Sequence, residues 1–359
     1  MNKIRVGIVG LGAITQLVYL SDLDMLRDRY EITALCGVSP GVLNIIGEKH
    51  PKAVMCSSTD RLAALDCVDA VIIANSDEFH YVDAMCLIQH GKHIFIEKPM
   101  CFNMREAKDI KSAAEKHGVK AMVGYVRRFS DVYHIAKKEL ESIRDNINYV
   151  RIRDILGYNF LFMNENSGVF RFDDIPDSVA DMRNKLLRES LPEALGEYHA
   201  DKAGLYMFMT GLCCHDFSAM RGLLGMPESV ESAVSSKTGN YLSVIFNYKG
   251  FSAAYEAGID SQKRRESTVE VFTENKTVKI EYGCFYYLKQ MPDAVQIDEC
   301  VDGVFSQRRV VPTYRNPYAR ELEAFYEAIS SGAAVASPPE DYMEDLKLFA
   351  MILEKVKKL

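Results

Sequence analysis

The chain has 359 residues, of which 48% are hydrophobic and 26% are charged, and its formal net charge is −7. This balance is that of an ordinary globular protein, and it excludes a disordered or collagen-like chain. A mildly acidic chain has no general attraction for nucleic acid or anionic lipid. At roughly 150 residues per domain, the length predicts two or three domains.

The nine cysteines bear on the cellular compartment. Their number is odd and no CxxC pair occurs, which favours reduced thiols and a cytoplasmic protein over a disulfide framework. The apolar stretch near the N-terminus is interrupted by Gly7, Gly10 and Gly12. We therefore interpret it as a buried strand that runs into a turn, and not as a signal peptide. No run approaches the roughly 18 apolar residues of a membrane span.

Short apolar runs alternate with helical patterns in the first third of the chain. Such runs, separated by helices, are typical of a parallel sheet covered on both faces. Right-handed crossovers make it a doubly wound, Rossmann-type α/β fold. We place the runs at residues 4–9, 32–36, 70–74, 93–96 and 121–123.

A glycine turn follows the first run. Gly10 permits a tight turn, and Gly12 has no side chain, so a pyrophosphate can approach the backbone. The following helix would direct its first N–H groups, at Ala13 and Ile14, toward the phosphates. Thr15 takes the third position of the fingerprint, where Gly or Ala is usual. The turn predicts a dinucleotide site, and a turn that serves packing alone is the alternative.

The end of the second run bears on the choice of coenzyme. An acidic residue there usually holds the ribose hydroxyls of NAD, but Gly37 stands at that position. Without a carboxylate a 2′-phosphate is not repelled, and Ser39 offers it a hydroxyl. No Arg or Lys lies nearby to bind it strongly. NAD and NADP both stay open as the cofactor, with a slight lean toward NADP.

Glu97, Lys98 and Pro99 follow the run at residues 93–96. A lysine at the carboxyl end of a sheet strand lies in the crevice where ligands bind in doubly wound folds. Pro99 restricts the backbone directly after it, and the Lys98–Pro99 bond can be cis. A surface lysine in a turn is the alternative interpretation.

Together these motifs resemble the Gfo/Idh/MocA family, the group of glucose–fructose oxidoreductase and inositol dehydrogenase. The resemblance rests on the glycine turn, the Glu-Lys-Pro element at 97–99, and the segments 75–80 and 124–129. It implies a Rossmann domain over residues 1–125 and an α/β domain with a large, mostly antiparallel open sheet over residues 126–359. The last helices can pack back on the first domain. The open sheet commonly forms the family's oligomer interface, which implies a homodimer or homotetramer.

His215 matches the family's catalytic histidine. Gly211 and Ser218 stand where the family often has aspartates, so the usual carboxylate partner of the histidine is missing. Asp201, or another acid of the preceding helical region, is the expected substitute. Asp216 is adjacent to His215, and consecutive helical residues do not share a face. Four consecutive residues, Cys213 to Asp216, cannot all face one ion on a helix, so no metal site is expected.

The resemblance implies that Lys98 and His215 form the catalytic pair and converge beside the reactive carbon of a bound nicotinamide. A lysine near that positive ring, in a partly dry site, would have a lowered pKa suited to proton transfer. The expected cofactor contacts are Gly10, Gly12, Ala13, Ile14, Ser39, Asn75, His80, Glu97 and Lys98. The expected substrate contacts are Tyr125, Arg127, Asn159 and Asp201.

Two of these assignments have structural alternatives. His80 could be a helix-start histidine satisfied by local backbone groups instead of a cofactor contact. The adjacent arginines, Arg127 and Arg128, could hold the domain junction or reach the substrate, and we expect Arg127 to face the site and Arg128 to be structural.

Residues 157–209 form an unusual insertion. Phenylalanines 160, 162, 170 and 172 flank a polar run, and residues 175–195 have a helical pattern. An insertion ahead of His215 would lie over the substrate crevice, and packing beneath the loop or at a subunit interface is the alternative. The remaining strands of the second domain are predicted at residues 148–156, 229–235, 241–248, 251–257, 268–273, 277–280 and 285–288.

The expected function is NAD(P)-dependent hydride transfer at a hydroxyl or keto carbon of a sugar or inositol-like polyol. Two alternatives stay open. One is a dinucleotide-dependent glycosidase that works through transient oxidation, and the other is a non-catalytic regulator that senses a dinucleotide or a sugar. Retention of both Lys98 and His215 argues against the regulator. Neither nucleic acid nor membrane is an expected partner.

Overall fold

The computed structural model describes residues 3–158, 168–196, 200–283, 293–312 and 315–358. The chain divides into two compact units. The first unit comprises Met1–Tyr125, Gly168–Gly196 and Tyr318–Leu346. The second unit comprises Val126–Ser167, Glu197–Pro317 and Lys347–Leu359. Within the described ranges, no helix has the length and apolar character that crossing a membrane requires.

The helices and strands are numbered here in chain order. The helices are α1 (Leu20–Met25), α2 (Pro40–Lys49), α3 (Thr59–Ala63), α4 (His80–Gln89), α5 (Met104–His117), α6 (Asp131–Glu141), α7 (Asp177–Leu195), α8 (Ala203–Phe208), α9 (Cys214–Leu224), α10 (Pro317–Ser330) and α11 (Pro339–Lys355). The strands of the first unit are β1 (Ile4–Val9), β2 (Tyr30–Cys36), β3 (Val54–Cys56), β4 (Ala70–Ile73), β5 (His93–Glu97) and β6 (Ala121–Gly124). The strands of the second unit are β7 (Tyr149–Gly157), β8 (Ser229–Ser235), β9 (Tyr241–Tyr248), β10 (Phe251–Asp260), β11 (Arg265–Phe272), β12 (Lys276–Glu281), β13 (Ala294–Val301), β14 (Val304–Val310) and β15 (Val356–Lys358).

A six-stranded parallel sheet forms the centre of the first unit, in the order β3-β2-β1-β4-β5-β6. Every residue of β4 is buried, which is typical of a parallel sheet covered on both faces. The strand order reverses between β1 and β4, and ligands of such sheets bind at the carboxyl ends of the strands beside this reversal. The turn that follows β1 and the loop that follows β4 therefore form the edge at which a ligand is expected.

The second unit is built on a nine-stranded sheet in the order β14-β13-β12-β11-β7-β10-β9-β8-β15. It is mostly antiparallel, and the β7–β10 and β8–β15 pairs are parallel. A tight hairpin joins β9 and β10, and Gly250 has φ +93° there. Phe217 of α9 packs against Tyr255 of β10, with ring centroids 4.7 Å apart. The predicted fold class is confirmed by this pair of sheets.

The described structure differs from the sequence prediction at several places. The short strand β3 was not predicted, and neither were β13, β14 and β15. The predicted strand at 285–288 and phenylalanines 160 and 162 lie outside the described residues. Residues 168–196 were assigned to the second domain, whereas they are part of the first unit. The reason is local: α7 is anchored by Arg183, whose guanidinium lies 2.8 Å from Glu78, and by Glu193, which lies 2.8 Å from Arg105.

Candidate functional site in the Rossmann unit

The glycine turn between β1 and α1 has two glycines with different functions. Gly10 has φ +95°, and a Cβ at this position would overlap the backbone of Asn75. Gly12 is exposed, and a Cβ there would meet nothing within 4 Å. Gly10 is therefore required by the fold, whereas Gly12 leaves open space above the turn. The Thr15 hydroxyl donates to the Gly10 carbonyl at 2.6 Å, which explains a threonine at the third fingerprint position.

The helix that follows the turn is oriented to receive an anion. Ala13 and Ile14 are its first helical residues, and both are partly exposed. A π-helical turn over Thr15–Tyr19 then leads into α1, and such turns are frequent at functional sites. Helix N-termini bind phosphate groups through their free N–H groups and their dipole.

The loop after β4 contributes a side chain with unused hydrogen-bonding capacity. The Asn75 amide nitrogen donates to Asp83 Oδ2 at 2.7 Å, which fixes the amide group. Its other end, Oδ1, is buried and has no hydrogen-bond partner among the described residues. Buried polar atoms are nearly always paired, so a donor from a bound molecule would satisfy this oxygen. The open turn and this oxygen fit a dinucleotide.

The loop after β5 carries Lys98, and its conformation is fixed by its neighbours. The Lys98–Pro99 peptide is cis. Tyr19 donates its hydroxyl proton to Glu97 Oε1, and the Lys98 N–H donates to Glu97 Oε2 at 3.1 Å. The His80 ring lies 2.7 Å from the Pro99 carbonyl through Nδ1 and 3.3 Å from the Asn75 carbonyl through Nε2.

These contacts change the expected roles of two residues. Glu97 and His80 were expected to contact the cofactor directly. His80 is only 1% exposed, and both of its ring nitrogens face backbone carbonyls. Both oxygens of Glu97 are engaged within the protein. The two side chains position the loops after β4 and β5, which for His80 is the structural alternative that the sequence left open.

Three carboxyl groups lie near one another beneath this loop. Burial raises the pKa of Glu321 well above its usual range, and the charges of Glu97 and Asp22 raise it further. Burial also raises the pKa of Glu97, although Lys98 opposes this, and it raises the pKa of Asp22 to about 7. Neither oxygen of Glu321 has a hydrogen-bond partner among the described residues. The cluster therefore favours the protonated state of its carboxyl groups.

Replacing Glu321 with glutamine should change the pH dependence of stability. The folded protein keeps a proton on Glu321 at pH values at which the unfolded chain releases it. This contribution to stability is full below the usual pKa of glutamate and is lost as the pH rises toward the raised pKa. The free energy of unfolding of Glu321→Gln should exceed that of the wild type by near zero at about pH 5 and by roughly 1–3 kcal/mol at about pH 8.

Thermal unfolding of both proteins across this pH range checks the prediction. Glu327→Gln is the matched control, because Glu327 is exposed on the same helix. A stability difference between Glu321→Gln and the wild type that is the same at both pH values would contradict the raised pKa of Glu321.

Candidate functional site in the second unit

His215 lies at the start of α9. A π-helical turn over Met209–Cys213 precedes it. His215 is partly exposed, whereas the residues that follow it in α9 are mostly buried. Gly211 lies one turn earlier, and a Cβ there would meet nothing within 4 Å. A small side chain at position 211 would therefore be accommodated without a clash.

A buried ionic network lies on the far side of the same helix. Arg127 Nη2 lies 2.7 Å from Asp154 Oδ2, and its Nη1 is paired with Asp216. Tyr255 donates to Asp216 Oδ2 at 2.9 Å, and the guanidinium carbon of Arg127 lies 5.1 Å from the centre of the Tyr282 ring. The Arg127 side chain is 2% exposed. Burial raises the pKa of Asp216, and the positive charge of Arg127 opposes this.

Comparison with known proteins gives the family of the first unit. A family described as an oxidoreductase family with an NAD-binding Rossmann fold, Gfo/Idh/MocA, matches residues 4–125. The predicted family is confirmed over these residues, which contain the glycine turn, Asn75 and the Lys98 loop.

Curated relatives match over the same region. A scyllo-inositol 2-dehydrogenase (NADP(+)) of Bacillus subtilis is 33% identical over 140 residues, which are 39% of this chain and 42% of that protein. An inositol 2-dehydrogenase/D-chiro-inositol 3-dehydrogenase of Shouchella clausii is 30% identical over 141 residues, which are 38% of this chain and 40% of that protein. The chain thus spans about two fifths of the length of these relatives.

Solved structures match over nearly the whole chain. A putative oxidoreductase of Bacillus subtilis has a TM-score of 0.74 at 18% identity and covers 99% of this chain and 96% of its own. A 3-ketoreductase of Actinomadura kijaniata, solved with NADP and TDP-benzene, has a TM-score of 0.73 at 16% identity. The match covers 100% of this chain and 99% of that protein. At these identities the likeness shows the fold of both units.

The structure corrects two substrate contacts that the Gfo/Idh/MocA resemblance implied. Arg127 is held inside the second unit by two aspartates, so its guanidinium is not available to a substrate. Tyr125 is 1% exposed and donates its hydroxyl proton to Asp345, within the first unit. Arg128 is structural, as predicted, because its Nε donates to the Ser218 carbonyl at 2.8 Å.

The other expected substrate contacts have different outcomes. Asp201 is exposed in a short turn before α8. Asn159 lies outside the described residues. Sequence reasoning missed the importance of Asp216, although a charged residue in the middle of an apolar helical stretch is a signal for a buried ion pair.

Proposed function

We propose that this protein is an NAD(P)-dependent oxidoreductase that acts on a CH–OH group, or on the matching ketone, of a sugar or inositol-like polyol. The main observation in support of this proposal is the turn at Gly10 and Gly12. Its backbone takes a positive φ at Gly10 and leaves open space at Gly12, within residues 4–125, which match an NAD-binding family. The inositol dehydrogenases that match over this region support the substrate class.

The residues of the first unit would hold the coenzyme in a defined way. The N–H groups at Ala13 and Ile14 would bind the pyrophosphate, because they begin a helix and are partly exposed. The unpaired Oδ1 of Asn75 would accept a hydrogen bond from the coenzyme. When bound, a nicotinamide coenzyme supplies the acceptor or donor of hydride.

Lys98 is the proposed proton-transfer group. In the direction of oxidation, its amine takes the proton from the substrate hydroxyl as hydride leaves the carbon. Glu97 and His80 fix the loop from which it projects. A fixed loop favours a single geometry of the reacting atoms.

His215 is the proposed second substrate contact. Its imidazole can donate or accept a hydrogen bond at near-neutral pH, so it can bind the hydroxyl or pass the proton onward. Glycine stands at position 211, where the family often has an aspartate.

Turnover over a panel of substrates tests the proposal. Sugars, inositols and their acids are offered with NAD and with NADP, and the absorbance of reduced nicotinamide is followed. Chromogenic glycosides are offered in parallel. Reduction of either coenzyme with a polyol supports the proposal. Glycoside cleavage without net coenzyme reduction would instead establish the glycosidase, and coenzyme binding without any turnover would establish the regulator.

A further inference from the structure

Residues 168–176 of the insertion lie along the Rossmann unit, and we refer to them as the strap. The side-chain amide of Gln16 pairs with the backbone of Phe170. Its Oε1 accepts from the Phe170 N–H at 2.8 Å, and its Nε2 donates to the Phe170 carbonyl at 3.2 Å. The ammonium of Lys49 lies 5.0 Å from the centre of the Phe170 ring. The strap is thus attached to the helices that follow β1 and β2.

The strap places a carboxylate at the N-terminus of α2. Asp174 Oδ1 accepts from the Ser39 hydroxyl at 2.5 Å, and Oδ2 accepts from the Gly41 N–H at 2.6 Å. Ser39 is the N-cap of this ten-residue helix. The carboxylate therefore uses both the capping hydroxyl and a free N–H group of the first turn, and the helix dipole favours its charge.

A glycine of α2 allows the strap to approach this closely. A Cβ at Gly41 would lie 2.7 Å from Cγ of Phe172, so the strap packs directly against the α2 backbone. A Cβ at Gly37 would lie 3.2 Å from the side chain of Leu11. An aspartate at position 37, where the family fingerprint has its acid, would therefore require a small shift of the Leu11 side chain. The carboxylate that this position lacks comes instead from Asp174, far along the chain.

We propose that Asp174 makes the coenzyme site selective for NAD over NADP. The inference rests on the proposed function, because it concerns the same coenzyme site. The loop after β2 is where doubly wound folds bind the 2′ substituent of the adenosine ribose. A 2′-phosphate needs the donors that Asp174 occupies, and its charge would face a carboxylate. A 2′-hydroxyl is a donor and can hydrogen-bond to that carboxylate. The slight preference for NADP that Gly37 suggested is thereby reversed.

Calorimetric titration of the full-length protein with NADH and with NADPH tests the inference without relying on activity. The wild type should bind NADPH at least about tenfold more weakly than NADH. Asp174→Asn removes the charge and keeps the size of the side chain. It should strengthen NADPH binding and leave NADH binding equal or weaker, so that the two dissociation constants come within about threefold of each other.

Asp173→Asn is the matched control, because it makes the same change of net charge at an exposed neighbour of the strap. It should keep the preference of the wild type. A wild type that binds both coenzymes equally well, or a preference that Asp174→Asn does not change, overturns the inference and leaves the proposed function standing. The inference is also overturned if Asp174→Asn strengthens the binding of both coenzymes equally, because the strap would then only obstruct the site. If no variant binds either coenzyme, the proposed function fails together with the inference.

Discussion

Lys98→Met is expected to lower kcat by roughly 10²–10⁴-fold while the dissociation constant of the coenzyme changes by less than about threefold. Methionine keeps most of the length and the apolar stem of the side chain, but it removes the amine that exchanges the proton. The loop around it is held by Glu97 and His80. The site should therefore retain its shape and lose only its proton-transfer group.

Steady-state kinetics and coenzyme titration on the same preparations check this expectation. Lys108→Met is the matched control, because Lys108 is exposed on α5 and has no assigned function. If Lys98→Met keeps its kcat within about threefold of the wild type, Lys98 is not the proton-transfer group. If it loses coenzyme binding as well, the lysine acts in binding and not in the chemical step.

Arg127→Met is expected to destabilise the second unit by about 3–5 kcal/mol, because it removes the only charge that both buried aspartates contact in the described network. Asp154 and Asp216 would then face each other without a cation, in a site from which water is excluded. Loss of one partner of a buried ion pair costs far more than loss of a surface pair. The midpoint of thermal unfolding should fall by roughly 10 °C.

The triple variant Arg127→Met, Asp154→Asn, Asp216→Asn separates charge from packing. It should recover part of the lost stability, because no uncompensated carboxylate remains. Scanning calorimetry of both variants and the wild type measures the effect. An Arg127→Met protein with unchanged stability and a raised KM for the polyol would contradict the network and restore the substrate role that the sequence suggested.

Local constraints made the first unit predictable. The run at 4–9 coincides with β1 because every residue of this parallel strand except Arg5 is buried, and such strands have a nearly continuous apolar sequence. Gly10 and Gly12 were assigned correctly to a turn, since the constraint acts between neighbours in the chain. The strand β3 was missed because it has three residues, of which only Cys56 is buried.

Long-range pairings could not be predicted from spacing. Arg127 was expected to face the substrate, but its partners are 27 and 89 residues away, on β7 and α9. Asp174 lies 135 residues from Ser39, and no pattern in the insertion indicates that it caps α2. The sequence therefore showed that a carboxylate was missing after β2 but could not show which residue replaces it.

Transfer of deuterium from substrate to coenzyme tests the central claim most directly. A polyol that is turned over in the panel is prepared with deuterium on the reacting carbon and incubated with the oxidised coenzyme. We predict that the reduced nicotinamide isolated from the reaction carries that deuterium, and that Lys98→Met slows its appearance. Product that forms while the coenzyme stays unlabelled would contradict hydride transfer and, with it, the assignment of this protein as an oxidoreductase.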